Sequence, residues 1–568
     1  MTQNGSVPNG SMRSGGRVLV DQLSIHGVDT AFCVPGESYL DVIDALYDYR
    51  DSIRLIVCRQ DGGASFMAEA YGKCTGKPGI CLVTRGPGAT NASIGVHTAF
   101  QDSTPMILLI GQVGGDVVER EAFQEVDYRR MFGQMAKWVA QIDRAERIPE
   151  YLSHAFHLAV SGRPGPVVLA LPEDMLITEV DVPDARPYTA VKPAPSVAAM
   201  ERLREMLEVA KQPLVLLGGG GWSRQSCEDI RGFIEANNLP VGCTFRRQDL
   251  IDNRHPNYCG DVGIGINPAL AKRVRDADLI LAIGPRLGEM TTSTYTLFDI
   301  PCPAQKMIHV HSGIDELGRV YEADLMINAD MGEFAHLAAV MPPVDSAPWR
   351  DWTHQARKDY EANIEPQASP GPVDMAQVMV ELRKQLPPDA VITNGAGNYS
   401  GWVQRYWQYG GIRSQLGPTN GAMGYGVPAA VAAKLAFPDR VVASFSGDGC
   451  FMMNGQEMAT AVQYGLKILF VVINNEMYGT IRMHQERDYP TRVIGTELRN
   501  PDFAALARAF GMHGAVVERT DQFAGALSEA LSQDTSSLLE LRVDPEAITT
   551  RARLSAIREK ALERNKGK

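Results

Sequence analysis

Short apolar runs closed by glycine or proline alternate with helix-patterned stretches along nearly the whole chain, among them Leu55-Ile56-Val57, Ile80-Cys81-Leu82-Val83, Met106 to Ile110 and Val167 to Leu171. Runs this short and continuously apolar read as strands buried on both faces, and strands alternating with helices pair in parallel. The pattern predicts α/β folding with parallel sheets. At 568 residues the chain exceeds what one hydrophobic core serves. Two Pro-rich, polar stretches read as linkers: Val180 to Ser196, with four prolines, and Met341 to Pro372. They divide the chain into three doubly wound parallel-sheet domains, 17–180, 196–341 and 374–550, with a disordered tail over 1–16 and a helical tail over 551–568.

A formal charge of -12 gives no general attraction to nucleic acid or to an anionic membrane, so a phosphate ligand must be met locally by backbone amides, basic groups or a metal. Hydrophobic residues at 45% and charged residues at 21% suit a soluble globular protein. The nine cysteines show no C-x-x-C pairing and read as reduced, mostly buried thiols of a cytoplasmic protein. Met1 to Gly16 lacks the apolar centre of a signal peptide, and no stretch reaches the roughly 18 unbroken apolar residues of a membrane span.

In the middle domain Pro213 to Leu217 runs into Gly218 to Gly221. Dinucleotide binding is one reading; a tight strand-to-helix connection is the favoured one, because the full G-x-G-x-x-G spacing and the later acid are both missing. A second strand, Leu279 to Ile283, ends at Gly284-Pro285-Arg286, with Arg286 either a structural ion-pair partner or a ligand contact.

The most informative stretch is Val441 to Gly449, containing Gly447-Asp448-Gly449, followed by a helical pattern from Gly455 to Tyr464 and an apolar run from Leu466 to Ile473 that ends at Asn474-Asn475. It reads as one βαβ unit, with Asp448 and Asn475 at the carboxyl ends of its strands, where ligands of such sheets gather. The glycines beside Asp448 let backbone approach an anion, while one carboxylate and one amide oxygen suit magnesium that takes its other ligands from phosphate and water. Either dipeptide alone is an ordinary turn. Together, 27 positions apart across a strand-helix-strand pattern, they match a thiamine diphosphate signature.

From about Gly16 to Pro545 the chain resembles the acetolactate synthase-like superfamily of thiamine diphosphate enzymes, in the order pyrimidine-binding, central and diphosphate-binding domain. The resemblance is carried by Val34-Pro35-Gly36-Glu37, Thr84 to Asn91, Ala122-Phe123-Gln124-Glu125 and Gly421-Ala422-Met423-Gly424-Tyr425-Gly426 as well as by the clamp. It implies Asp448, Asn475 and the Met477 carbonyl as Mg2+ ligands, and backbone at Gly397-Asn398, Gly449-Cys450 and Gly479 around the diphosphate. Met423 resembles the wedge that bends the cofactor, with the Gly421 carbonyl accepting from its amine. Gly36, Asp61 and Gln124 are the implied catalytic positions, and Gln124 resembles the glutamine beside the reacting carbonyl; a helix-surface glutamine is its bland reading. The resemblance also implies a homodimer or homotetramer in which one subunit's pyrimidine-binding domain completes its neighbour's site.

The sequence departs from that family in three places. Where the family has Arg-His-Glu-x-Gly, this chain has Arg59-Gln60-Asp61-Gly62-Gly63. One methylene less withdraws the carboxylate by roughly 1.5 Å, and a displacement of about 1 Å can cost on the order of 10²-fold in rate. Met290 and His484 stand where arginine and tryptophan shape the acceptor pocket of acetolactate synthases. A thioether cannot anchor a carboxylate as a guanidinium does. The expected function is a thiamine diphosphate and Mg2+ dependent carbon-carbon lyase or carboligase that decarboxylates a 2-oxo acid and transfers the acyl carbanion to a small carbonyl substrate. The alternatives are a carboligase or lyase on aldehydes or diketones, an FAD-containing enzyme of the pyruvate oxidase type and a non-catalytic partner subunit.

Overall fold

The computed structural model describes residues 12–566. It separates into two compact units, one reaching to Val191 and one running from Lys192. No helix among the described residues is long and apolar enough to cross a membrane.

The first unit holds a six-stranded sheet in the order Arg54–Val57, Thr30–Cys33, Gly79–Val83, Met106–Gln112, Pro166–Pro172, Trp138–Gln141. Every neighbouring pair is parallel. All four apolar runs singled out in this part of the sequence lie in these strands. The three interior runs are buried, with Ile80, Ile107 and Val167 fully enclosed, while the edge strand Arg54–Val57 is only partly covered. Parallel strands need crossover helices, which is why their sequences are apolar throughout rather than alternating.

The second unit holds two more six-stranded parallel sheets. The central one runs Tyr258–Val262, Val241–Thr244, Pro213–Leu217, Leu279–Ile283, Lys306–His311, Leu325–Asn328. The other runs Gln415–Leu416, Val391–Asn394, Val442–Gly447, Leu469–Asn474, Ser537–Arg542, His513–Val517. This last sheet and the sheet of the first unit share one topology: in chain order their strands stand second, first, third, fourth, sixth, fifth. The central sheet follows the dinucleotide-fold order third, second, first, fourth, fifth, sixth. Three doubly wound domains are thus present, as the alternation of runs and helices predicts.

Two boundaries differ from expectation. The stretch read as a disordered tail is ordered from residue 12 onward, while residues 1–11 lie outside the described residues. Arg13–Ser14 pairs with Glu179–Val180, and Arg13 donates to Asp21 at 2.6 Å and to Asp184 at 2.9 Å. Ser14 caps the helix Gly15–Ile25, so two charge-assisted bonds and a cap hold a segment whose composition reads as loop. The stretch read as a second linker contains the helix Arg350–Ile364. Trp349, Ala356 and Tyr360 are buried against the central domain, and the Trp349 indole donates to the Asn237 carbonyl at 3.0 Å. The helical tail is the helix Leu554–Lys566. It packs on the helix Gly479–Asp488, where Arg558 grips the buried Glu486 carboxylate at 2.6 and 2.8 Å.

Candidate active site

In a doubly wound sheet the ends of the first and third strands diverge and leave a crevice. In the last domain those strands are Val391–Asn394 and Val442–Gly447, and a cleft of about 900 Å³ opens at their carboxyl ends. Gly397, Asn398, Gly421, Met423, Asp448, Gly449, Cys450, Asn475, Met477 and Gly479 all line it. The expected βαβ unit is present: Ala443 pairs with Leu469 and Gly447 with Ile473 in parallel register, which brings Asp448 and Asn475 to the same end of adjacent strands.

Asp448 is buried, its Oδ1 accepting from the Gly449 N–H at 2.9 Å and its Oδ2 from Asn500 Nδ2 at 2.7 Å. Burial raises the carboxyl above the ordinary range, while the Gly449 and Asn500 donors pull against it. The Asn475 to Tyr478 loop is held by a short antiparallel seam: Leu498 N–H donates to the Glu476 carbonyl at 2.8 Å, and Tyr478 N–H to the Thr496 carbonyl at 2.9 Å. Glycine at 449 is demanded by this loop, because a Cβ there would lie 2.5 Å from Tyr478 Cε1. Gly421 and Gly397 take φ of +73° and +148°.

The helix Gly479–Asp488 begins without a side-chain cap, and Gly479, Thr480 and Ile481 of its first turn face the cleft. Uncapped amides at a helix start suit a phosphate. The Cys450 sulfur accepts from the Gly424 N–H at 3.2 Å and the Tyr399 hydroxyl at 3.4 Å, so this thiol braces the wall. The Asn398 N–H donates to Thr480 Oγ1 at 3.0 Å. A buried carboxylate, close-packed glycines and an uncapped helix start are the features a diphosphate held through a divalent cation requires, and the residues fit that group.

The first unit repeats the strand order. Its first and third strands, Thr30–Cys33 and Gly79–Val83, lead into Gly36 and Thr84, and the neighbouring strand Arg54–Val57 leads into Asp61. A Cβ at Gly36 would lie 2.5 Å from Thr84 Cβ. Asp61 opens the helix Asp61–Thr75 and is buried. Asn91 Nδ2 donates to its Oδ2 at 3.2 Å. Burial raises the Asp61 carboxyl above its ordinary value, opposed by the Asn91 amide. Gln124 sits in a turn at φ +65°, not on a helix surface, and its carbonyl accepts from the Gly86 N–H at 2.9 Å. Its Oε1 is buried without a hydrogen-bond partner among the described residues.

Met290 and His484 lie in the second unit, and neither lines the cleft. Burial and Arg487 push the His484 imidazole below its usual value. Arg286 pairs with buried Glu316 at 3.5 Å, the structural reading of that arginine. A Cβ at Gly219 would stand 1.9 Å from the Gly284 carbonyl oxygen, so the central glycine turn is required by two loops meeting backbone to backbone. Sequence reasoning missed Asn91 and Asn500. Asn500 lies 52 residues beyond the carboxylate it touches, with no local pattern to betray it.

The three sheets and the cleft define a three-domain α/β protein built to hold a diphosphate cofactor. Residues 13–131, 200–337 and 395–541 match the thiamine pyrophosphate enzyme family as its N-terminal TPP binding domain, central domain and C-terminal TPP binding domain. The chain is 32% identical to the acetolactate synthase isozyme 2 large subunit of Escherichia coli K12 over 94% of this chain and 96% of that one. It is 31% identical to the acetolactate synthase large subunit of Corynebacterium glutamicum, over 91% and 84%. It is 30% identical to a probable acetolactate synthase large subunit of Methanocaldococcus jannaschii, over 94% and 92%. The chain belongs to the acetolactate synthase-like family of thiamine pyrophosphate enzymes.

Proposed function

We propose that this enzyme uses magnesium-held thiamine diphosphate to decarboxylate a 2-oxo acid and join the remaining acyl unit to a second carbonyl compound. The observation that carries this reading is the convergence on one cleft of the ten cofactor and metal positions expected in the last domain, His484 standing apart. Asp448, Asn475 and the Met477 carbonyl would hold the cation, with amides at Gly397-Asn398, Gly449-Cys450 and Gly479 around the diphosphate. Thr480 would release the Asn398 N–H to that group. Met423 would serve as the wedge and the Gly421 carbonyl as acceptor of the cofactor amine. Bound thiamine diphosphate supplies the electron sink and the carbon nucleophile.

In this reading Asp61 keeps a proton at the pyrimidine nitrogen. Its burial supports the role, because a carboxyl raised above its ordinary range shares a proton more readily. Gln124 donates to the reacting carbonyl oxygen, with Gly36 beside it. A second copy of the chain completes each site, as in the family the chain resembles, and the relatives' names as large subunits support an assembly. Nine free cysteines, most of them buried, support a cytoplasmic setting. Met290 and His484 favour an acceptor other than a second tightly held 2-oxo acid.

The test is incubation with thiamine diphosphate, Mg2+ and a panel of 2-oxo acids, with and without aldehydes, with products identified by mass. The reading requires 2-oxo acid consumption that depends on both cofactor and metal. Failure to consume any member of a broad panel contradicts it, and rapid acetolactate formation from pyruvate alone contradicts the reading of Met290.

A further inference from the structure

Asp448 is tied into a chain of buried and partly buried side chains. Asn500 Nδ2 donates to Asp448 Oδ2 at 2.7 Å and to Asn474 Oδ1 at 2.9 Å. Asn474 donates to Glu540 Oε1 at 2.8 Å, and the other Glu540 oxygen accepts from the Phe503 N–H at 3.1 Å. Asn474 Oδ1 also accepts from the Glu476 N–H at 3.2 Å, on the far side of Asn475. Asp448, Asn474 and Glu540 are each under a tenth exposed. A primary amide has two N–H donors, and Asn500 uses both to join the two segments of the clamp.

We propose that Asn500 is a positioning residue of the metal-diphosphate clamp, locking the Asp448 carboxylate to the loop that carries Asn475 and Met477. The proposal rests on the reading of Asp448 and Asn475 as metal ligands. Gly449 fixes one carboxylate oxygen and Asn500 the other, so the carboxylate plane is set before any cation arrives. Through Asn474 the same amide holds the start of the Asn475 loop, and Glu540 anchors Asn474 to the next strand. Without Asn500 the two ligand-bearing segments keep their own backbone supports and the Glu476 and Met477 amides that act on Asp448, but lose the side-chain bridge between them. A cation must then supply the rest of the order. Groups that orient a metal ligand in this way typically contribute 10- to 100-fold to metal affinity.

The test uses full-length wild type, Asn500→Ala and the near-isosteric Asn500→Leu. Mg2+ is titrated at several fixed thiamine diphosphate concentrations, with binding read by tryptophan fluorescence and the metal-free protein checked by thermal unfolding. Both variants should need roughly 10- to 100-fold more Mg2+ for half-maximal cofactor binding. At saturating Mg2+ their thiamine diphosphate affinity should return to near the wild-type value. An unchanged Mg2+ requirement in the variant that folds, or a loss of cofactor affinity that no Mg2+ concentration restores, overturns the proposal, the latter because it marks general loosening of the cleft. Wild type that fails to bind the cofactor with Mg2+ would instead overturn the reading of the clamp, and the proposal with it.

Discussion

Replacing Gly449 with alanine tests how tightly the cleft is built. The new Cβ would lie 2.5 Å from Tyr478 Cε1, 2.9 Å from its Cδ1 and 3.2 Å from Leu498 Cδ1. Carbon atoms in good contact stand about 3.5–4.0 Å apart, so the ring must retreat by about 1 Å. The Tyr478 backbone is pinned, its N–H bonded to Thr496 and the Glu476 carbonyl two residues earlier to Leu498. The ring itself must therefore turn, and it reshapes the cleft wall that it shares with Gly449. Overpacking of this kind costs about 1–3 kcal/mol, and a shift of about 1 Å in a reacting constellation costs on the order of 10²-fold in rate. Gly449→Ala should fold, bind thiamine diphosphate at least tenfold more weakly by fluorescence titration, and turn over on the order of 10²-fold more slowly. Adding Tyr478→Ala should recover part of the binding, since it removes the ring that the methyl strikes. Wild-type cofactor affinity in Gly449→Ala, or a double variant no better than the single one, would refute the reasoning.

Gly219→Ala should destabilise the metal-free protein by about 3 kcal/mol or more, combining a left-handed backbone with a clash against a carbonyl that cannot move; thermal unfolding checks this, and an unaffected protein would show that the glycine serves a ligand rather than packing. Glu486→Gln should loosen the helix Leu554–Lys566. Arg558 holds the Glu486 carboxyl down to about 2 from an ordinary 4.5, a contribution of about 1–2 kcal/mol once the water at Arg558 is allowed for. A group held below its unfolded value stabilises above that value and loses its effect as pH falls through the folded one. The hydrogen-exchange protection of residues 554–566, taken relative to the intrinsic exchange rate at each pH, should therefore fall in wild type between about pH 4.5 and 2, and already be low at neutral pH in Glu486→Gln.

The sheets were legible because their strands are buried on both faces, so that runs such as Met106 to Ile110 carry no competing polar pattern. The meeting of Asp448 and Asn475 was legible because a βαβ unit brings residues far apart in sequence to the same end of adjacent strands. The helix Arg350–Ile364 was not, since its few enclosed side chains sit among charged neighbours and prolines precede it. Arg13–Ser14 is ordered by Asp21 and Asp184, which no local rule connects to it. Asn500 and Asn91 escaped for the same reason: each is an ordinary amide whose meaning lies in a distant carboxylate. Asp61 was legible as a position but not as an environment. Only the fold reveals that it is buried, bonded to Asn91, and flanked by Gly88, whose added Cβ would come within 3.1 Å of Asp61 Oδ1.

That environment bears on the proposal that Asp61 is the carboxylate acting on the cofactor's pyrimidine. The direct measurement is exchange of the thiazolium C2 proton with deuterated solvent, followed by magnetic resonance after acid quench, for wild type and Asp61→Ala with Mg2+. Wild type should accelerate the exchange well beyond free cofactor, while Asp61→Ala should bind thiamine diphosphate with Mg2+ yet exchange at least 10²-fold more slowly. Equal exchange in both proteins would remove Asp61 from the chemistry, and no acceleration by wild type would contradict the account of the site as catalytic.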